Sequence, residues 1–385
     1  MFIARRLLAS AALAGLLVSP AYAASQQEIT DALIGALTAA GAEKIAYDGP
    51  AVDGDTLTYG KISFTFDKPA EPGEDPAGPY DVTIDQLVLT GADIPADADF
   101  SAASIALNGL VATSTDGVAR LAEAGVDNLV VVAPTDVREA VTTLDSFSAS
   151  DFRLESEGKA VVTVDTLAGT ASDYVGTQPR HQDVAVKRIV FDPAALPDPA
   201  AGQQLSAIGY DKLIFDFSSK MDWNVEEEVL EVENVTIDGV EIGTLTMAMS
   251  LGGITPEVFE AFNKRPEPDF GALTGTTLSA ATIAFTDKSV TGRILEKQAR
   301  EAGTDAASFA NQLAAVLPLM LSSLGNPAFQ TAVATALGDF LKNPRSLTVT
   351  AAPAQPVPFV EVMAIGQTAP QTLPDLLNVT VESGQ

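Results

Sequence analysis

His181 is the sole histidine of the chain, so imidazole acid–base chemistry near neutral pH could use no other residue. A nucleophilic triad would also need partners fixed around it. His181 follows Pro179 and Arg180 in a polar stretch, and an exposed turn is expected there. Ser156-Glu157-Gly158-Lys159 has the Ser-x-x-Lys spacing in which a lysine can sit beside a serine nucleophile. That chemistry needs the serine at a helix start, with Ser-Asp-Asn and Lys-Thr-Gly elements elsewhere. The chain has neither element, and strand-like runs flank the segment, so a hairpin turn is expected. No Gly-x-Ser-x-Gly elbow, His-Glu-x-x-His zinc motif, P-loop or dinucleotide fingerprint occurs.

Carboxylates gather at Asp48, Asp53 and Asp55, and again at Asp93, Asp97 and Asp99. Oxygen-rich loops bind calcium, but neither group has the 12-residue EF-hand spacing, and solvated turns are expected. Glu226-Glu227-Glu228 reads as a turn before a strand at Val229. Trp223, the lone tryptophan, alternates with Met221 and Val225 and is expected in the core. These residues point away from an enzyme, and no cofactor or metal site is expected.

The strongest binding signal is a lack of charge. The chain carries 51 acidic and 22 basic residues, a net charge of −29, yet Ala306 to Gly338 contains no charged residue. So acidic a chain is unsuited to nucleic acid, whose phosphates demand a basic surface, and it is repelled by anionic headgroups. The neutral stretch reads as an Ala- and Leu-rich helical hairpin. Its apolar side chains Phe309, Leu313, Leu317, Met320, Phe329, Val333 and Leu337 are the candidate ligand-binding residues, either packed on the sheet or lining an apolar pocket or touching lipid. Pro318, Asn311 and Gln312 interrupt the run, so a transmembrane anchor is not expected.

The elements that must position these groups alternate in type. Residues 1–23 read as a cleaved secretory leader: Arg5 and Arg6, an apolar run from Leu7 to Val18, then Pro20 and Ala21-Tyr22-Ala23. This predicts export, by its simplicity to a bacterial periplasm. The chain has no cysteine, which excludes disulfides, thiolate metal sites and a lipidated N-terminal Cys. Ser25 and Glu28 have capping-box spacing ahead of a helix whose stripe is Ile29, Leu33, Ala36, Leu37 and Ala40.

From about 45 to 285 the apolar period is two. Leu57, Tyr59, Ile62, Phe64 and Phe66 lie in one run, and Val82, Ile84, Leu87 and Leu89 in the next. Further runs cover 105–111, 129–132, 147–154, 159–166, 184–191, 212–217, 229–237 and 240–250, with turns at 155–159 and 237–240. Alternation with polar partners is the antiparallel habit. Residues 68–79 are Pro-rich and acidic and read as an exposed loop. Thr115-Asp116 is expected to cap a helix ending at Ala124-Gly125, an echo of the helix that follows Thr286-Asp287. Three helices are predicted between Asp287 and Asn343, the second capped by Thr304 and the third by Asn326-Pro327. Strands are predicted at 347–350, 359–364 and 377–381.

The expected fold is α+β: a large twisted, mainly antiparallel sheet, with an N-terminal helix and a three-helix insertion packed on it. The organisation is a leader at 1–23, a helix plus β-rich domain at 24–285, a helical insertion at 286–344, and strands rejoining the sheet at 345–385. The cadence of acidic, Gly-punctuated strands resembles exported envelope proteins built from long β-sheets that bind or guide lipids; it carries no motif and supplies no site residues. Two functions are expected to compete. One is a non-enzymatic periplasmic protein holding an apolar or lipid-like ligand between sheet and helices. The other is an envelope structural or assembly factor that contacts a protein partner.

Overall fold

The computed structural model describes residues 24–66, 79–95, 98–132, 141–195, 199–263 and 274–384. The predicted leader, most of the Pro-rich acidic loop, and Asp97 lie outside the described residues. The class is α+β and cysteine-free, with strands paired antiparallel throughout. The chain divides into two compact units, Met1–Thr177 and Gln178–Gln385, a boundary inside the span 24–285.

The first unit opens with helix α1 (Gln26–Ala39). Ser25 Oγ accepts from the Glu28 backbone N–H, and the Glu28 carboxylate accepts from Ser25 N at 2.7 Å, completing the capping box. Strands β1 (Ala42–Asp53), β2 (Thr56–Phe66), β3 (Tyr80–Thr90), β4 (Phe100–Ser114), β5 (Gly117–Val132), β7 (Ser146–Ser156) and β8 (Lys159–Val175) pair in chain order, and the short β6 (Val141–Thr143) joins β5. Ile29 and Leu33 of α1 belong to one buried cluster with Leu57, Tyr59, Ile84 and Leu89, and Thr30 Oγ1 lies 2.9 Å from the buried Tyr59 hydroxyl.

A line of backbone irregularity crosses this sheet. Lys61, Gly109 and Asp151 are left-handed, with φ of 46°, 66° and 52°. Regular pairing jumps from Gly60–Gln86 to Ile62–Ile84, from Gln86–Asn108 to Ile84–Leu110, and from Ser150–Thr166 to Phe152–Val164. One residue on each strand drops out of the ladder at this level while the register is kept, and the alternation of buried residues changes parity there. Leu57 and Tyr59 share a buried face with Ile62 and Phe64, none more than 7% exposed.

The helix expected after Thr115-Asp116 is not formed. Thr115 and Asp116 make a tight turn, and Ser114 pairs with Gly117 as β4 leads into β5. Ala, Leu and Glu between 119 and 124 favour a helix locally. The full-length partner strand β4 outweighs that preference by pairing Ala112 with Ala119 and Leu110 with Leu121. The echo with the segment after Thr286-Asp287, which does become a helix, therefore does not hold.

In the second unit, β9 (Gln178–Phe191), β10 (Leu213–Asn224), β11 (Val229–Gly239), β12 (Gly243–Gly252), β13 (Thr277–Asp287), β14 (Ser346–Ala351) and β16 (Val379–Ser383) lie side by side, and β15 (Val357–Pro358) pairs with β13. Helices α2 (Pro199–Ala207) and α3 (Pro256–Asn263) sit in connections. Helices α4 (Val290–Glu301), α5 (Ala306–Met320) and α6 (Pro327–Lys342) all fall between the paired strands β13 and β14, and α7 (Phe359–Thr368) and α8 (Leu373–Leu376) precede β16. Asn326 Oδ1 accepts from Phe329 N at 3.0 Å to cap α6. The cap of α5 is Asp305, which accepts from Ser308 N at 2.9 Å, rather than the neighbouring Thr304.

Two further expectations are corrected here. Residues 359–364 are helical, not a strand, and only Val357–Pro358 pairs in the sheet. The run Phe-Val-Glu-Val-Met-Ala-Ile satisfies either period, and its ten-residue length with Glu361 in the first turn suits the helix. His181 lies within β9, opposite Asp222 of β10, and not in a turn.

Candidate ligand-binding face

Strands β10 to β16 sort their side chains by chemistry. One rung across the sheet reads Phe217, Ile237, Leu245, Phe285 and Leu347. The next reads Val235, Met247, Ile283, Val349 and Val381. A third holds Met221, Val232, Met249, Ala281 and Ala351. Residues between these rungs, such as Thr244, Thr246, Thr282, Thr286, Thr348 and Thr350, point to the other side, which is polar.

In the first unit α1 seals the apolar face at β2 and β3. In the second, among the described residues, the middle of the apolar face is open. Ile283 is 50% exposed, and Ile237, Met249 and Val349 are each more than a third exposed. An uncovered sheet face of this composition is costly in water unless something occupies it. The two strand ends are closed. At one end the Trp223 indole donates to the Ile254 carbonyl at 2.8 Å, and its ring lies 4.7 Å from that of Phe259. At the other, Phe340 of α6 meets Phe285 edge-on at 6.3 Å. Gly243 makes room for Phe285: a Cβ there would stand 2.6 Å from the ring. The apolar floor thus runs between two packed ends.

The opposite face carries charge pairs, most of them between neighbouring strands. Asp216 accepts from the Arg188 backbone N–H at 2.8 Å and from Lys187 Nζ at 3.0 Å, and the Arg188 N–H is the first reason its carboxyl titrates below the usual range. Asp238 is lowered chiefly by Lys288, with Thr244 Oγ1 donating at 2.6 Å. His181 Nδ1 lies 2.5 Å from Asp222 and is the leading cause of that carboxyl's depression. Lys220 meets Glu233 at 2.5 Å, which raises its ammonium above the ordinary value. The Asp216–Lys187, Asp222–His181 and Glu233–Lys220 partners sit on adjacent strands and so fix register, whereas Lys288 reaches Asp238 from just beyond the end of β13. Sequence reasoning missed the His181–Asp222 pairing because the two are 41 residues apart.

Two of the acidic residues grouped near the N-terminus have protein partners. Asp93 accepts from Ala24 N at 2.7 Å and from Ile94 N at 2.9 Å, and Asp48 faces Lys61 at 3.6 Å. Among the described residues, no group of three or more His, Asp or Glu is placed to hold a metal ion.

The seven residues proposed from sequence divide by position. Phe309, Leu313 and Leu317 are half-buried on α5, and Phe329, Val333 and Leu337 are half-buried on α6; Met320 is exposed. The two helices pack closely, and a Cβ at Gly338 would lie 3.5 Å from Ala314 Cβ. A groove of about 560 Å³ does lie between α6 and β16, but it opens to solvent. Thr331, Thr335, Ala336 and Asp339 line it with Val381 and Glu382, and none of the seven does. The open apolar rungs of β11 to β14 were missed as a site. Their signal was present: Leu245, Met247, Met249 and Leu251 alternate with Thr244, Thr246, Ala248 and Ser250. Residues Ala306–Leu324 also form one helical stretch long and apolar enough to cross a membrane by length and composition alone.

A family model described only as "Uncharacterized protein" matches residues 236–384, from the end of β11 through β16. That span holds β12 to β14, which carry much of the open face, and the neutral helices. Comparison with curated proteins gives no match for this chain.

Proposed function

We propose that the protein is an exported, non-enzymatic binder of an apolar or lipid-like ligand, acting in a bacterial periplasm. The ligand lies along the apolar rungs of β11 to β14, beside the neutral helices. One observation carries this reading: Ile237, Met249, Ile283 and Val349 form an uncovered apolar floor on a chain of net charge −29. Such a chain stays soluble through its charge while keeping one face for hydrocarbon. The leader-like residues 1–23 support export.

Native mass spectrometry of gently purified protein tests the reading. A lipid-sized adduct is expected on the wild type and not on Ile283→Glu, a substitution at a half-exposed position that leaves the closed ends intact. A clean ligand-free mass for the wild type would count against the proposal. A second reading, an envelope assembly factor, is favoured by β16, which ends the strand order with β14 as its paired neighbour among the described residues. Crosslinking in cells through β16 should then trap one specific protein.

A further inference from the structure

The exposed end of α5 calls for a separate explanation. Val316, Leu319, Met320 and Leu324 recur at helical spacing and form one stripe continuing into the 3-10 turn Leu321–Leu324. Leu319 is 76% and Met320 67% exposed, and Val316 and Leu324 are exposed as well. The turn ends at Gly325 in a left-handed conformation, φ 68°, and Asn326 then starts α6. Nothing charged lies between Asp305 and Asp339 in sequence.

We propose that this stripe docks the protein on a bilayer of zwitterionic lipid, lying in the interface rather than spanning it. Three arguments select that occupant. A second copy would need about 800 Å² per partner for a stable interface, and four side chains offer on the order of 300 Å². Two chains of net charge −29 also repel one another. An anionic membrane is disfavoured by the same charge, whereas a zwitterionic surface imposes no such penalty. Spanning is opposed by the first half of α5, where Ala310 is buried, Asn311 and Gln312 interrupt the apolar run, and Asp305 caps the end. A short apolar stripe reaches about 5–10 Å into the headgroup boundary, the depth at which interfacial helices lie. The inference stands whether or not the sheet face holds a ligand.

The absence of cysteine allows a direct test. Leu319→Cys, and as control Asp116→Cys in the β4–β5 turn, are labelled with an environment-sensitive nitrobenzoxadiazole dye and mixed with phosphatidylcholine vesicles. Blue-shifted, brighter emission is expected at position 319 and not at 116. Flotation of the unlabelled Leu319→Asp/Met320→Asp variant with those vesicles should fall at least about tenfold, given the transfer free energy of two large apolar side chains. The proposal is overturned if position 319 does not respond, if both positions respond alike, or if phosphatidylglycerol vesicles bind better. It is equally overturned if the change follows protein concentration without vesicles, which would indicate self-association. Loss of flotation with the mass-spectrometric adduct retained separates this docking from ligand binding on the sheet.

Discussion

Single residues on the second sheet are committed to opposite tasks on its two faces. Gly243 exists to seat Phe285, so Gly243→Ala should force the ring away and destabilise the fold by about 1–3 kcal/mol, the usual range for overpacking. Urea unfolding followed through Trp223 fluorescence measures this directly, since that residue is the only tryptophan and is buried. On the polar face, Asp238 has its carboxyl pKa depressed by Lys288 and Thr244. A depressed carboxyl contributes stability above its unfolded pKa, about 3.9, and loses it as pH falls through the lower folded value. Asp238→Asn should therefore be less stable than the wild type at neutral pH, and the gap should close as the pH drops below about 4. A gap that stays constant between pH 7 and pH 2 would show that the ion pair contributes nothing. Trp223 itself was legible from its alternation with Met221. The partner of His181 was not, because a pairing 41 residues away depends on where β10 begins.

At the level of elements, the left-handed line through β2, β4 and β7 marks where the buried alternation changes parity. Lys61 takes a conformation that costs a non-glycine residue about 1 kcal/mol, whereas Gly109 takes it freely. A Cβ at Gly109 would also fall 2.7 Å from Asp85 Cγ. Lys61→Gly should be neutral or slightly stabilising, and Gly109→Ala destabilising by more than about 1 kcal/mol; thermal unfolding of the pair checks the asymmetry. The slip was readable in the sequence, where Leu57 and Tyr59 are followed by Ile62 and Phe64 at a changed parity. Helix α1 was readable too, since Ser25 and Glu28 state their own capping chemistry. The two misread segments share a cause. Residues 117–125 have helical composition and 359–364 strand composition, and in each the neighbouring backbone decides: β4 supplies a full ladder to the first, while β13 offers the second only the pairing of Thr277 and Leu278 with Pro358 and Val357.

Over the whole molecule, folding and binding make different demands on the second sheet, and substitution can separate them. Phe285 is half-buried against Phe340 and Gly243, so it belongs to the packed end of the floor. Ile283 stands one rung away and half in water. If the floor exists for a ligand, Ile283→Asn should leave the unfolding free energy of delipidated protein within about 0.5 kcal/mol of wild type, as surface substitutions do. The same change should weaken fluorescence enhancement of the neutral dye Nile red and shrink the rise in melting temperature produced by added lysophosphatidylcholine, because only a ligand that prefers the folded state raises it. Phe285→Asn should instead lower the melting temperature of the empty protein itself. A neutral dye and a zwitterionic lipid are the appropriate probes, since a chain of net charge −29 would repel an anionic one whatever its hydrocarbon contacts. Should Ile283→Asn destabilise the empty protein as much as Phe285→Asn while leaving dye and lipid responses unchanged, the floor would be structural, and the apolar-ligand proposal would fall.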